Sequence, residues 1–107
     1  MKIHSLPGCD KEGFLLDLNA WSESNAELLA AREGVTLTPA HWEILHLLRD
    51  FYRRTETAPA MRPFVKLIKE TCGSERGSSV YLMTLFGGSP AMTAAKIAGL
   101  PRPTNCL

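Results

Sequence analysis

Much that small proteins rely on is scarce in this sequence. Its 107 residues hold only three cysteines, Cys9, Cys72 and Cys106, widely spaced and without a CxxC pair. A disulfide framework and a cysteine zinc site are therefore not expected, and an odd number of separated thiols suits a reducing compartment. Nowhere do about 18 apolar residues run together, and the opening MKIHSLPGCDKEGF lacks the apolar stretch of a signal peptide. A cytoplasmic protein with no membrane contact is expected. Twelve Lys and Arg stand against eleven Asp and Glu, a formal net charge of +1. That is not the excess of cations that displaces counterions from a polyanion, so direct nucleic-acid binding is not expected.

Signatures of several chemistries are also missing. There is no GxSxG for a nucleophile elbow and no GxxxxGK[ST] to cradle phosphates, and Gly87-Gly88 reads as a break between helices. His41 and His46 are five apart on one expected helix, so they point about 140° apart and cannot share a metal as an i, i+4 pair could. No metal and no cofactor are expected.

What remains is an ordinary globular composition, 45% hydrophobic and 21% charged, which favours neither disorder nor a membrane protein. The length suits one domain. MKIHSL alternates weakly, Pro7-Gly8-Cys9-Asp10 has turn chemistry, and Gly13-Phe14-Leu15-Leu16 follows, which predicts a short N-terminal β-hairpin. From Trp21 the pattern turns helical, with Ser22 as N-cap, Ala26, Leu29 and Ala30 on one face, and Gly34 as the stop. Thr38 followed by Pro39 is the clearest helix start, and Trp42, Leu45, Leu48 and Tyr52 recur at helical spacing, widened by Ile44, Leu47 and Phe51. A third helix begins near Ala60, where Pro63 is still tolerable, and closes at Gly73. VYLMTLF predicts a fourth helix, and Ser89-Pro90 opens a fifth that Gly99 ends.

The fold class expected is therefore α+β and mainly helical: a short N-terminal β-hairpin packed on five helices. Residues 1–99 form a single globular domain and residues 100–107 an extended arm stiffened by two prolines, on which Cys106 swings over a radius of roughly 20 Å. A terminal cysteine buries little, so it is either an accident of a frayed tail or there to react. Free thiols are only a few per cent thiolate at neutral pH, and Arg102 favours the thiolate while the Leu107 carboxylate opposes it. Such a thiol suits a carrier, received by a donor and an acceptor in their own sites, where the activating groups reside. Cys9 and Cys72 read as incidental thiols.

Arg62, Lys66 and Lys69 line one face of the third helix, either as a solvated face or as electrostatic docking groups together with Arg102. A helix-turn-helix regulator built on helices two and three is a weaker alternative, because the net charge is low for that role.

The stretches EGFL (residues 12–15), LTPAHWEIL (37–45), LRDFY (48–52), APAMR (58–62), GSSVYL (77–82) and above all KIAGLPRPTNCL (96–107) resemble the TusE/DsrC/DsvC sulfur-carrier family over essentially the whole chain. The resemblance implies a DsrC-like fold and a sulfurtransferase in which the penultimate cysteine, here Cys106, accepts sulfane sulfur as a persulfide and passes it on. The DsrC branch carries a second arm cysteine eleven residues earlier; that position is Ala95, so the single arm cysteine resembles the TusE branch. That branch implies a TusBCD-like sulfur donor, a tRNA-bearing MnmA-like acceptor and a role in wobble-uridine 2-thiolation. The alternative within the family is a partner of a sulfite reductase or sulfur-oxidation enzyme. The family pattern FPxGPAKQA reads here FGGSPAMTA (86–94), with Met92 and Thr93 replacing lysine and glutamine, and Val80 stands where a basic residue is usual. Two positive charges near the arm are thus absent.

Overall fold

Four of the five helices among the described residues begin at a serine or threonine N-cap, where a hydroxyl or a following proline deals with the unpaired amides of a first turn, and the remaining one begins at Ala60. The computed structural model describes residues 8–103 and contains α1 (Glu23–Arg32), α2 (Pro39–Thr55), α3 (Met61–Cys72), α4 (Ser79–Phe86) and α5 (Pro90–Ile97). The Ser22 hydroxyl accepts from the Asn25 amide and that of Ser78 from the Tyr81 amide, both at 3.1 Å. Pro39 and Pro90 occupy first-turn positions of α2 and α5. Pro63 lies at the third residue of α3, still within the turn whose amides have no internal partner.

α2 starts with an arrangement that the hydroxyl-proline pattern does not reveal. His41 is buried, and its Nδ1 accepts from the Thr38 amide at 3.1 Å. A carbonyl can only accept, so Nε2 carries the proton and donates to the Leu85 carbonyl of α4 at 2.8 Å. One imidazole thus caps α2 and ties it to α4. His46 instead is exposed, paired with Glu23 of α1 at 3.2 Å and stacked on Trp42.

Short and alanine-rich, α5 touches all four other helices. Ala94, Ala95, Ile97 and Ala98 are buried, and the small side chains of the three alanines let the neighbouring helices approach closely. Phe64 and Ile68 of α3, Ile44, Leu45 and Leu48 of α2 and Leu82 of α4 complete the core around them. The root of the arm is therefore the last turn of the most enclosed helix.

The expected N-terminal hairpin takes a lesser form. Among the described residues only one antiparallel bridge is present, between Cys9 and Leu15; residues 1–7 lie outside the described residues. The Asp10 carboxylate accepts from the amides of Glu12 and Phe14 at 2.9 and 3.0 Å and so closes a compact turn. After this turn the chain enters a 3-10 helix (Leu18–Ala20). No helix among the described residues is long and apolar enough to cross a membrane.

Candidate functional site at the root of the C-terminal arm

α5 ends in a Schellman motif. The Gly99 amide donates to the Lys96 carbonyl at 3.1 Å and the Leu100 amide to the Ala95 carbonyl at 2.9 Å, with Gly99 at φ +72°. Two carbonyls of the same turn are taken by side chains from far along the chain. Trp21 Nε1 donates to the Ile97 carbonyl at 2.9 Å, and Arg49 Nη1 to the Ala98 carbonyl at 2.7 Å. The Arg49 guanidinium also lies over the Trp21 ring, 4.1 Å from its centroid. A Cβ at Gly99 would sit 2.3 Å from Trp21 Cδ1, so glycine is required for contact as well as for conformation. Burial pulls the Arg49 pKa below its ordinary value, with the charge of Arg53 adding to the effect. Arginine nevertheless stays cationic, and here its charge opposes the negative end of the helix dipole.

The first residues of the arm are fastened in turn. Leu100 is buried in the core, and Pro101 is half-buried. Arg102 pairs with Glu12 and stands 5.2 Å from the centroid of Phe14. Lys96 lies 5.6 Å from the same ring and 3.5 Å from Glu33. The EGFL stretch is thus the clasp of the arm: Glu12 supplies charge, Gly13 turns at φ +98°, and the buried Phe14 offers its ring to two cations. The Phe14 amide, more than any other neighbour, holds the Asp10 carboxyl below its ordinary pKa, which keeps this turn closed as a carboxylate-centred unit.

Of the residues singled out in the sequence, Cys106 lies outside the described residues. Arg102 stands at the arm root, committed to Glu12 and Phe14. Arg62, Lys66 and Lys69 are exposed on α3, away from that clasp, and make no ion pair among the described residues. Ala95, where the DsrC branch has cysteine, is buried in the core. Cys9 is half-buried, with Arg32 Nη1 3.9 Å from its sulfur. Cys72 is half-buried at the end of α3 and donates to Glu43 at 3.7 Å; burial first and the Glu43 carboxylate second push its pKa up. A raised pKa makes it a poor nucleophile at neutral pH. Trp21 and Arg49, which hold the root of the arm, carry no local signal of that role, since their acceptors lie 76 and 49 residues away.

The chain is 47% identical over 98 residues to the sulfurtransferase TusE of Pectobacterium atrosepticum, covering 92% of this chain and 90% of that protein. The NMR structure of Allochromatium vinosum DsrC superposes with a TM-score of 0.84 at 41% identity, covering 92% of this chain and 88% of that one. The oxidized γ-subunit of the dissimilatory sulfite reductase (DsrC) from Archaeoglobus fulgidus gives 0.81 at 37% identity, over 94% and 92% of the two chains. With the family model described as DsrC like protein matching residues 5–107, the chain belongs to the DsrC-like family.

Proposed function

We infer that this protein is a sulfurtransferase that carries sulfur between proteins on Cys106, within the relay leading to 2-thiolation of tRNA wobble uridine. The observation that carries this reading is the built root of the arm. Schellman closure, the Trp21 and Arg49 bonds and the Arg102 clasp all serve the last turn of α5 and the few residues after it. Such investment is hard to explain for an inert tail. Three residues separate Arg102 from Cys106, so the Cys106 Cα stands at most about 14 Å from that of Arg102, a shorter reach than an arm free from Leu100 onward. Residues 8–99 with the fastened Leu100–Arg102 stretch then act as the rigid body, and the remaining residues present the thiol.

The chemistry is thiol exchange without a cofactor. The Cys106 thiolate attacks the outer sulfur of a donor persulfide, forming Cys106–S–SH and releasing the donor thiolate; the acceptor thiolate then attacks that outer sulfur and regenerates the Cys106 thiolate. One sulfane sulfur moves, and no external oxidant or reductant is consumed. With Ala95 in place of a second arm cysteine, no intramolecular disulfide on the arm competes. The similarity to TusE proteins supports a TusBCD-like donor and a tRNA-bearing MnmA-like acceptor in the cytoplasm. The likeness to sulfite reductase γ-subunits supports the second reading, a sulfite-reductase partner, which Ala95 disfavours.

Complementation tests the proposal. In a bacterium lacking its own TusE, the wild-type chain restores 2-thiouridine in tRNA and Cys106→Ser does not; equal restoration by both overturns the role of Cys106. Co-purification of a sirohaem enzyme in place of relay proteins would favour the second reading.

A further inference from the structure

Arg102 is the last charged side chain before Cys106. The sequence offers it as a docking cation, but in the fold its guanidinium pairs with Glu12 and stands 5.2 Å from the centroid of the buried Phe14 ring. Its ion-pair partner comes from the opposite end of the chain. Two residues before it, Leu100 is buried in the core, and Pro101 between them is half-buried.

Glu12 is held in place before it meets Arg102. The Asp10 carboxylate accepts from the Glu12 amide at 2.9 Å and from the Phe14 amide at 3.0 Å. The Gly13 amide donates to the Asp10 carbonyl at 3.1 Å, and the Asp10 amide to the Phe14 carbonyl at 2.8 Å. The backbone on both sides of Glu12 is therefore fixed. This turn is also seated on α5: a Cβ at Gly13 would lie 3.7 Å from both Lys96 Cδ and Glu33 Oε2. The Asp10 carboxyl, lowered in pKa by the Phe14 amide above all, is lowered further by the charge of Arg102, so two carboxylates face the guanidinium. An exposed ion pair holds little by itself. Here the pair is joined to a ring contact and built on a preformed turn, which lessens the ordering cost.

We propose that Glu12 is a positioning residue for sulfur transfer: by holding Arg102 against Phe14 it fixes the arm two residues beyond the buried Leu100 and so limits the volume within reach of Cys106. The inference rests on the sulfur-carrier reading and deepens it by naming what sets the reach of the thiol. Without Glu12 the nearest firm anchor is Leu100, from which the Cys106 Cα lies up to about 20 Å away, against about 14 Å from Arg102. The volume within reach then grows about threefold, and the local concentration of the thiol at a protein partner seated on the arm root falls by the same factor. A small thiol diffusing from solution meets Cys106 equally well in both cases.

Two measurements test this. In the full chain carrying Cys9→Ser and Cys72→Ser, spin labels on Cys106 and on the exposed α3 position through Lys66→Cys report a distance distribution. Glu12→Lys and Arg102→Ala each broaden it, and Glu12→Lys adds nothing in the Arg102→Ala background, because the two residues act as one contact. With the native cysteines restored, single-turnover transfer of sulfur from the Cys106 persulfide to an MnmA-like acceptor slows about threefold in Glu12→Lys, while removal of that sulfur by dithiothreitol keeps its wild-type rate. The proposal is overturned if Glu12→Lys leaves the distribution unchanged or broadens it equally without Arg102. It is also overturned if transfer to the protein acceptor is unchanged or faster in Glu12→Lys, the faster rate being the result for an Arg102 that docks a partner once released. A wild-type chain that passes no sulfur to the protein acceptor defeats the carrier reading, whereas normal wild-type transfer with an unaltered Glu12→Lys defeats the positioning role alone.

Discussion

Gly99 and Gly34 offer a matched pair of perturbations. Both follow a helix as the left-handed residue of a Schellman motif, with φ +72° and +74°. In each, the glycine amide and the next one close on the helix: Gly34 to Ala31 and Val35 to Ala30, Gly99 to Lys96 and Leu100 to Ala95. Only their surroundings differ. A Cβ at Gly34 meets nothing within 4 Å, and one at Gly99 meets Trp21 Cδ1 at 2.3 Å. Gly34→Ala thus bears only the left-handed penalty, about 1 kcal/mol. Gly99→Ala bears the same penalty and also displaces the indole, losing about 1 kcal/mol with the Ile97 hydrogen bond and about 1 kcal/mol of ring contact with Arg49. The expected total is about 3 kcal/mol, a drop in melting temperature of roughly 12 °C or more for a domain of this size. Urea unfolding followed by circular dichroism gives both costs, provided the slopes match wild type. Equal costs for the two variants, within about 0.5 kcal/mol, would refute the claim that Trp21 is seated on Gly99 to fix the arm.

Three further outcomes follow from the same contacts. Arg49→Met should destabilise the fold by about 2 kcal/mol through loss of a charged hydrogen bond and the indole contact, and Arg49→Lys by about half as much, because an ammonium cannot stack as a planar guanidinium does; thermal unfolding reads both. Asp10 has a folded pKa below its unfolded value, so its stabilisation of the N-terminal turn is full above about pH 4 and is lost as pH falls through the lowered folded value. The Phe14 amide signal, followed by NMR from pH 6 downward, should move in that acidic window in wild type and not in Asp10→Asn. Cys72, its pKa raised by burial and Glu43, should alkylate more slowly than a free model thiol at pH 8, and Glu43→Gln should speed it.

The helix frame was legible because its signals are local. Ser22, Thr38-Pro39 and Ser89-Pro90 mark starts, and Gly34, Gly73 and Gly99 mark ends, each within a turn of the boundary found. The N-terminal segment reads as a hairpin because turn residues between apolar stretches fit one; among the described residues it shows one antiparallel bridge, Cys9 to Leu15, beside a turn that the Asp10 carboxylate closes with its bonds to Glu12 and Phe14, and residues 1–7 lie outside the described residues. The arm and its cysteine were plain in KIAGLPRPTNCL, whereas the means of fastening the arm were not. Trp21 reads as a position before an N-cap, and nothing in the sequence sets Arg49 apart from Arg53, four residues on and so on the same helix face. In the fold Arg49 turns inward to Ala98, and Arg53 stays exposed beside Asp50. His41 likewise read as one of two histidines, because a capping box ordinarily uses Glu or Gln at that position.

Locating transferred sulfur tests the carrier role most directly. The full chain is incubated with a small persulfide donor, digested without reductant and examined by mass spectrometry, alongside Cys106→Ser. One added sulfur atom on the C-terminal peptide, removable by an acceptor thiol and absent from the variant, is the expected result. Sulfur on Cys9 or Cys72 instead, or equal loading of Cys106→Ser, would contradict it.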